Sequence, residues 1–161
     1  MSRRAIVFAV VALALLAVVL AVLAAPALFD RQAEGRLLRP DDAGLVALGA
    51  RVYAAQCASC HGVELQGEAD WQTPGPDGLL PAPPHDETGH TWHHPDRLLF
   101  DITKYGVAAA AGLPDHRSAM PAFEGLLSDR EIVAALSYIK SRWPQEVRRR
   151  HDALNAQAAP R

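Results

Sequence analysis

The sequence predicts an all-α domain of three to four helices, preceded by one N-terminal transmembrane helix. An apolar run of 21 residues near the start, positions 5–25, contains no charged side chain. Farther along, Leu45, Leu48, Val52 and Tyr53 recur at three- and four-residue spacing, as the buried face of a helix does. No segment alternates apolar and polar residues over any useful length, so we expect no β-strand.

The apolar run is long enough to cross a membrane, because as a helix it would extend about 31 Å. Arg3 and Arg4 precede it and favour keeping that end in the cytoplasm. The alternative is a cleaved signal peptide, although the apolar cores of such peptides span only about 7–15 residues. In both cases the globular part lies outside the cytoplasm. We expect a single-pass protein of a bacterial inner membrane, with its globular domain in the periplasm.

Composition divides the chain into an anchor or signal peptide (1–29), a polar linker (30–41), a globular domain (42–144) and a basic C-terminal tail (145–161). Residues 30–147 carry 10 Lys and Arg against 17 Asp and Glu. An acidic exported domain is not typical of nucleic-acid-binding proteins. The tail has the composition of a solvated, frayed terminus rather than of a contact for anionic lipid.

Start and stop signals place the first two helices of the globular domain. Asp41 or Asp42 is a suitable N-cap for the first helix, which runs into Cys57. Pro95 suits the first turn of the second helix, and Gly106 ends it.

The last helix begins with a capping box formed by Ser128 and Glu131, and Pro144 ends it. Between the helices, residues 62–94 and 106–127 are predicted to be loops, the first of them rich in proline. A loop as long as 62–94 is unusual in a compact domain unless it wraps around something.

The two cysteines of the chain, Cys57 and Cys60, are followed directly by His61 in the stretch AAQCASCHGVEL. A redox dithiol of the thioredoxin type needs a βαβ context, which is missing here. A structural zinc site usually takes four Cys or His ligands, so other histidines would have to complete it. A disulfide across so short a loop would constrain the unfolded chain very little. Cys-x-x-Cys-His is the attachment motif of haem c, which the two thiols would bind covalently while His61 binds the iron.

Met120 is a candidate for the second axial ligand of that iron. Apart from Met1 it is the only methionine, and it stands 59 residues after His61. A methionine is more often a filler of the core. Here, however, a thioether is what a six-coordinate electron-transfer haem needs on its other face. Pro121 would stiffen the loop that holds it.

Over about residues 44–143 the chain resembles the class I c-type cytochromes in their small, membrane-anchored, mono-haem form. In that family a glycine eight residues before the first haem cysteine lets the N-terminal helix approach the C-terminal helix closely. An aromatic residue four positions before the same cysteine packs there. Gly49 and Tyr53 stand at these spacings, and Tyr138 matches the aromatic residue of the C-terminal helix. The resemblance implies a cytochrome c-like fold around one covalent haem c.

The resemblance also implies a proline carbonyl that accepts a hydrogen bond from the histidine ligand. Pro83 and Pro84 are the candidates, although the chain departs from the family between residues 66 and 112. Such a bond would fix the orientation of the His61 imidazole.

Four histidines around Trp92 remain unassigned: His85, His90, His93 and His94. One hypothesis is a second metal site for copper or zinc, since imidazole suits both. The other is that Trp92 and His90 donate hydrogen bonds to the haem propionates while the remaining histidines face solvent.

The function predicted from the sequence is single-electron transfer by an electron carrier, not an enzyme, with unknown protein donor and acceptor and no nucleic acid. With His61 and Met120 on the iron, no position is open to a substrate. The alternatives are a redox subunit of a larger respiratory complex and a haem or copper protein that uses the histidine cluster.

Overall fold

The computed structural model describes residues 36–158, together with residues 13, 15, 16 and 18–20. Within 36–158 the chain is helical, with no strand, which confirms the all-α prediction. The helices are α1 (Ala43–Gln56), α2 (Ala58–His61), a 3-10 helix (Thr91–His93), α3 (Asp96–Tyr105), α4 (Val107–Ala111), α5 (Asp129–Arg142) and α6 (Gln145–Ala158). The sequence predicted three to four helices, and it did not predict the short helices α2 and α4 or the long helix α6.

Capping residues fix where the predicted helices begin. The Asp42 carboxylate accepts a hydrogen bond from the Leu45 N–H at 2.9 Å and opens α1. Ser128 and Glu131 form the predicted capping box at the start of α5. α3 follows Pro95 and ends at Gly106, as expected. These local signals were readable because each depends on residues three or four positions apart.

The centre of the domain is the packing of α1 against α5. Gly49 on α1 lies against the backbone of α5, so that a Cβ built on it would be 2.0 Å from the Ala134 carbonyl oxygen. One turn farther on, the rings of Tyr53 and Tyr138 lie 5.5 Å apart. Ile132 of α5 is fully buried at this contact region. The close approach therefore requires a residue without a side chain on α1.

The C-terminal region contradicts the prediction of a frayed tail, because residues 145–158 form α6. Its His151 is completely buried, and its Nε2–H donates to the His94 carbonyl at 2.9 Å. Arg148 pairs with Asp41, so part of the basic cluster is used within the fold. The sequence obscured this helix because its apolar residues are few and its buried contacts are polar.

A buried polar cluster attaches α6 to the rest of the domain. The Asp96 carboxylate at the start of α3 accepts hydrogen bonds from the Leu38 N–H at 3.0 Å and from Asn155 Nδ2 at 2.9 Å. The Lys140 ammonium has no exposed surface, and it donates to Asp152 Oδ1 at 2.7 Å and lies 3.8 Å from Asp96 Oδ1. Since buried charges require partners, this cluster makes the position of α6 specific.

The predicted anchor, 1–29, lies almost wholly outside the described residues. The six of its residues that are described are helical, and their apolar side chains are exposed. In the part of the chain that the structure describes, no helix has the length and hydropathy needed to cross a membrane.

Replacing Gly49 with alanine is expected to lower the free energy of unfolding by about 3 kcal/mol, since the added methyl overlaps the Ala134 backbone and one helix must move. Denaturant unfolding of the purified protein measures this. Gly44→Ala on the same helix is the matched control, because its Cβ would meet only Asp42 Oδ1 at 3.5 Å. The control should leave stability unchanged or raise it by up to about 1 kcal/mol. Equal effects of the two substitutions would contradict the close approach.

Lys140→Met should cost about 3 kcal/mol in unfolding free energy, because the buried ammonium that faces Asp96 and Asp152 is removed. The control is Arg150→Met, whose partner Glu146 is, like Arg150 itself, more than half exposed. Such surface pairs contribute less than about 1 kcal/mol. If the two substitutions have the same small effect, the buried cluster does not stabilise the docking of α6.

Candidate functional site

The cysteine motif lies on a single helical turn at the end of α1. Cys57 caps both α1 and α2, and the His61 N–H donates to the Cys57 carbonyl at 3.0 Å. Residues 57–61 therefore carry both thiols and the imidazole on one short segment. Cys57 is partly buried and Cys60 is exposed, and both are free thiols. Two free thiols and an imidazole on one turn can all contact the same planar group.

The His61 side chain is buried, and its orientation is fixed by the backbone of the following loop. Its Nδ1 lies 2.8 Å from the Pro83 carbonyl oxygen. Since a carbonyl can only accept, Nδ1 carries the proton and Nε2 keeps a free lone pair. Of the two candidate prolines it is Pro83 that makes this contact, whereas the Pro84 carbonyl lies 3.5 Å from Thr91 Oγ1.

The loop reaches His61 because it folds back at Gly67. The Gly67 N–H donates to the His61 carbonyl at 2.8 Å, and the residue has a φ of +66°. A Cβ at this position would be 2.5 Å from the Pro84 nitrogen. Two hydrogen bonds between Glu68 and Ala82 then close the loop and bring Pro83 under the imidazole.

The structure adds His85 to the site, a residue that the sequence placed in the histidine cluster instead. Its ring stacks on the ring of His61, with centroids 3.8 Å apart and planes inclined by 18°. Its Nδ1 is buried and has no hydrogen-bond partner. A signal was present in the sequence, since His85 follows the Pro83-Pro84 pair directly, but the clustering of histidines around Trp92 concealed it.

The other histidines of the cluster separate from one another. His90 stacks on Trp71 with centroids 5.3 Å apart, and His93 stacks on Trp92 at 3.7 Å. No group of three His, Cys, Asp or Glu side chains within the described residues is arranged to hold a metal ion. The hypothesis of a copper or zinc site in this loop therefore has no support in the structure.

Trp92 does not have the free indole N–H that the sequence suggested. Its Nε1 donates to the Glu87 carbonyl at 3.2 Å, which stabilises the loop before the 3-10 helix. The prediction that Trp92 supplies a propionate donor does not agree with this contact, because an indole has only one N–H to donate.

Met120 lies in the loop between α4 and α5 and is partly buried. Its backbone N–H bonds to the Ser118 hydroxyl at 3.1 Å. The loop rejoins the end of α3 through the Phe123 N–H, which donates to the Thr103 carbonyl at 3.1 Å. Met120 and His61 are thus presented by separate parts of the fold, α2 for the imidazole and this loop for the thioether.

Burial governs the protonation of the site. Desolvation lowers the pKa of His61, an effect that the Pro83 hydrogen bond and the Glu68 charge partly oppose, so the imidazole is neutral at neutral pH. Burial, with the nearby Cys60, raises the pKa of the Cys57 thiol to about 11. Burial also raises the pKa of Tyr53, whose hydroxyl donates to the Gly62 carbonyl at 2.9 Å. A neutral imidazole can bind a metal without first losing a proton.

The donor set fits haem c. Two free thiols stand with the spacing of the attachment motif, and the tautomer of His61 leaves Nε2 available to iron. The orphaned Nδ1 of His85 is a further heteroatom beside His61. The Met120 thioether belongs to the loop between α4 and α5.

Comparison with known proteins agrees with this interpretation. The family model described as cytochrome c oxidase, cbb3-type, subunit III matches residues 44–139, which is more than half of the chain. No curated protein and no solved structure matches significantly. The matched range runs from α1 to α5 and includes the cysteine motif, the Pro83 loop and Met120, while α6 lies outside it. The chain therefore belongs to the cbb3-type cytochrome c oxidase subunit III family of c-type cytochrome domains, which confirms its resemblance to the class I c-type cytochromes.

Proposed function

We propose that this protein is a mono-haem c-type cytochrome that transfers single electrons, with the haem attached to Cys57 and Cys60 and the iron bound by His61 and Met120. Haem-based electron transfer is the activity that its family implies. The observation that supports the assignment of the site is the hydrogen bond from His61 Nδ1 to the Pro83 carbonyl. It leaves Nε2 as the one ring nitrogen with a free lone pair.

Each residue of the site has a distinct task in this proposal. When bound, haem supplies the redox couple of its iron. Cys57 and Cys60 would hold the haem to the chain covalently, so that it would not dissociate in either oxidation state. The Pro83 carbonyl holds the proton of His61 Nδ1, which increases the basicity of Nε2. The Met120 thioether would favour the ferrous state and raise the reduction potential. With His61 and Met120 as ligands, the iron would have no position open to a substrate, and the protein would serve as an electron carrier.

We also propose, from the sequence alone, where the protein is located in the cell. The apolar run at 5–25, preceded by Arg3 and Arg4, favours a membrane anchor with the cytochrome domain on the periplasmic side. Haem c is attached to proteins outside the cytoplasm, which agrees with that arrangement.

A second candidate function is that of a fixed subunit of a membrane oxidase complex. The description of the matching family, subunit III of a cbb3-type oxidase, is the observation that favours it. The proposed redox site would be the same, but the electron would pass to a permanent partner rather than to a transient one.

Variants of the proposed ligands test the site. The wild-type protein, produced with a haem c maturation system, should keep its haem through denaturing electrophoresis and show a low-spin spectrum. Cys57→Ala with Cys60→Ala should abolish covalent haem. Met120→Ala should keep the haem, lose the methionine-to-iron charge-transfer band, and bind carbon monoxide readily because one axial position becomes open.

Leu113→Ala is the matched control for Met120→Ala, since Leu113 lies in the same loop and is half exposed. It should leave the spectrum and the reduction potential unchanged. A Met120→Ala protein with the wild-type spectrum would show that another group binds the iron, and a wild-type protein without covalent haem would overturn the proposal as a whole.

The size of the native particle distinguishes a carrier from a complex subunit. A carrier extracted from its own membrane in a mild detergent should migrate as a small particle with one haem. A complex subunit should migrate with additional haem-containing chains at a much larger size. Loss of those chains in mild detergent without salt, while marker complexes remain intact, would contradict the subunit role.

A further inference from the structure

The stacked pair of His61 and His85 imposes a constraint that the hydrogen bond to Pro83 does not. One hydrogen bond fixes the direction of the His61 Nδ1–H, but the imidazole can still rotate about that axis. A flat ring against its face, with centroids 3.8 Å apart and planes inclined by 18°, opposes this rotation. The two contacts together define the plane of the imidazole.

His85 is itself held in place by its backbone. Its N–H donates to the Leu65 carbonyl at 2.7 Å, and its own carbonyl accepts from Trp143 Nε1 at 2.7 Å. Leu65 is buried and has a φ of +68°, a backbone conformation that is strained for a non-glycine residue. The rings of Tyr53 and His85 meet edge to face, with centroids 6.0 Å apart. The backbone bonds and the contacts with the rings of His61 and Tyr53 together restrain the His85 ring.

Stability alone does not explain a histidine at position 85. Its buried Nδ1 has no hydrogen-bond partner, and leaving such a group unsatisfied destabilises the folded state. A leucine of similar size would fill the space without that cost. Unsatisfied buried groups in native proteins call for a functional explanation.

We propose that His85 is a positioning residue, which fixes the plane of the His61 imidazole through face-to-face contact and thereby sets the orientation of the axial ligand. The inference rests on the proposed function, because it assumes that His61 binds the iron. Groups that orient a metal-bound histidine tune the electronic properties of the metal. For a low-spin ferric haem, the orientation of the ligand plane determines the spread of the electron paramagnetic resonance g values.

The test compares two substitutions at this position in the haem-loaded protein. His85→Leu keeps the volume but removes the flat ring, so the g values should shift and broaden, and the reduction potential should change. His85→Phe keeps a flat ring, so its g values should remain close to those of the wild type. His93→Leu is the control, because it removes a histidine that stacks on Trp92 rather than on His61. The control should reproduce the wild-type signal.

Two results would overturn the inference: a His85→Leu signal identical to that of the wild type, or equal shifts in the Leu and Phe variants. The second would show that the ring nitrogens of His85, not its face, carry its effect. Both variants place a large apolar side chain at position 85. If the Leu variant does not fold, the g values of the Phe variant still test the inference. A wild-type protein without low-spin haem would refute the proposed function itself, which is a distinguishable outcome.

Discussion

The hydrogen bond between His61 Nδ1 and the Pro83 carbonyl is the constraint on which the rest of the site depends. It joins the helical turn that carries the thiols to a loop 22 residues away in sequence. Without it, the motif would be a turn with three reactive side chains and no defined tautomer. Gly67 makes the bond possible, because its backbone turns the loop back against His61. The chemistry of the site therefore depends on a backbone geometry that a side chain at position 67 would block.

The packing of α1 on α5 also helps to position His61 for its hydrogen bond to Pro83. Gly49 lets the two helices come so close that backbone lies against backbone, and Tyr53, one turn later, fills the space beside Tyr138. The Tyr53 hydroxyl also donates to the Gly62 carbonyl, directly after His61. One helix thus places the cysteine motif, packs the core and fixes the residue that follows the imidazole.

The sequence revealed the features that depend on local spacing. The caps of α1 and α5 and the end of α3 at Gly106 all follow from local residue patterns. It missed features that depend on partners distant in sequence. α6 is held by Asp96 and Lys140, so a scan for apolar periodicity finds little in it. The sequence suggested that the Trp92 indole N–H is free to donate to a haem propionate. Only the fold shows that this N–H donates to the Glu87 carbonyl.

The C-terminal helix, which lies outside the family match, is in contact with the site through a short series of residues. His151 of α6 packs edge-on against Trp143, with centroids 5.0 Å apart. The Trp143 N–H donates to the His85 carbonyl, and His85 stacks on His61. Each contact fixes the group that makes the next one, so the burial of His151 restrains the surface against which the His61 imidazole rests. A frayed tail would leave Trp143 exposed and the His85 backbone less constrained. The buried charges that dock the polar helix α6 therefore also help to hold His85 in place.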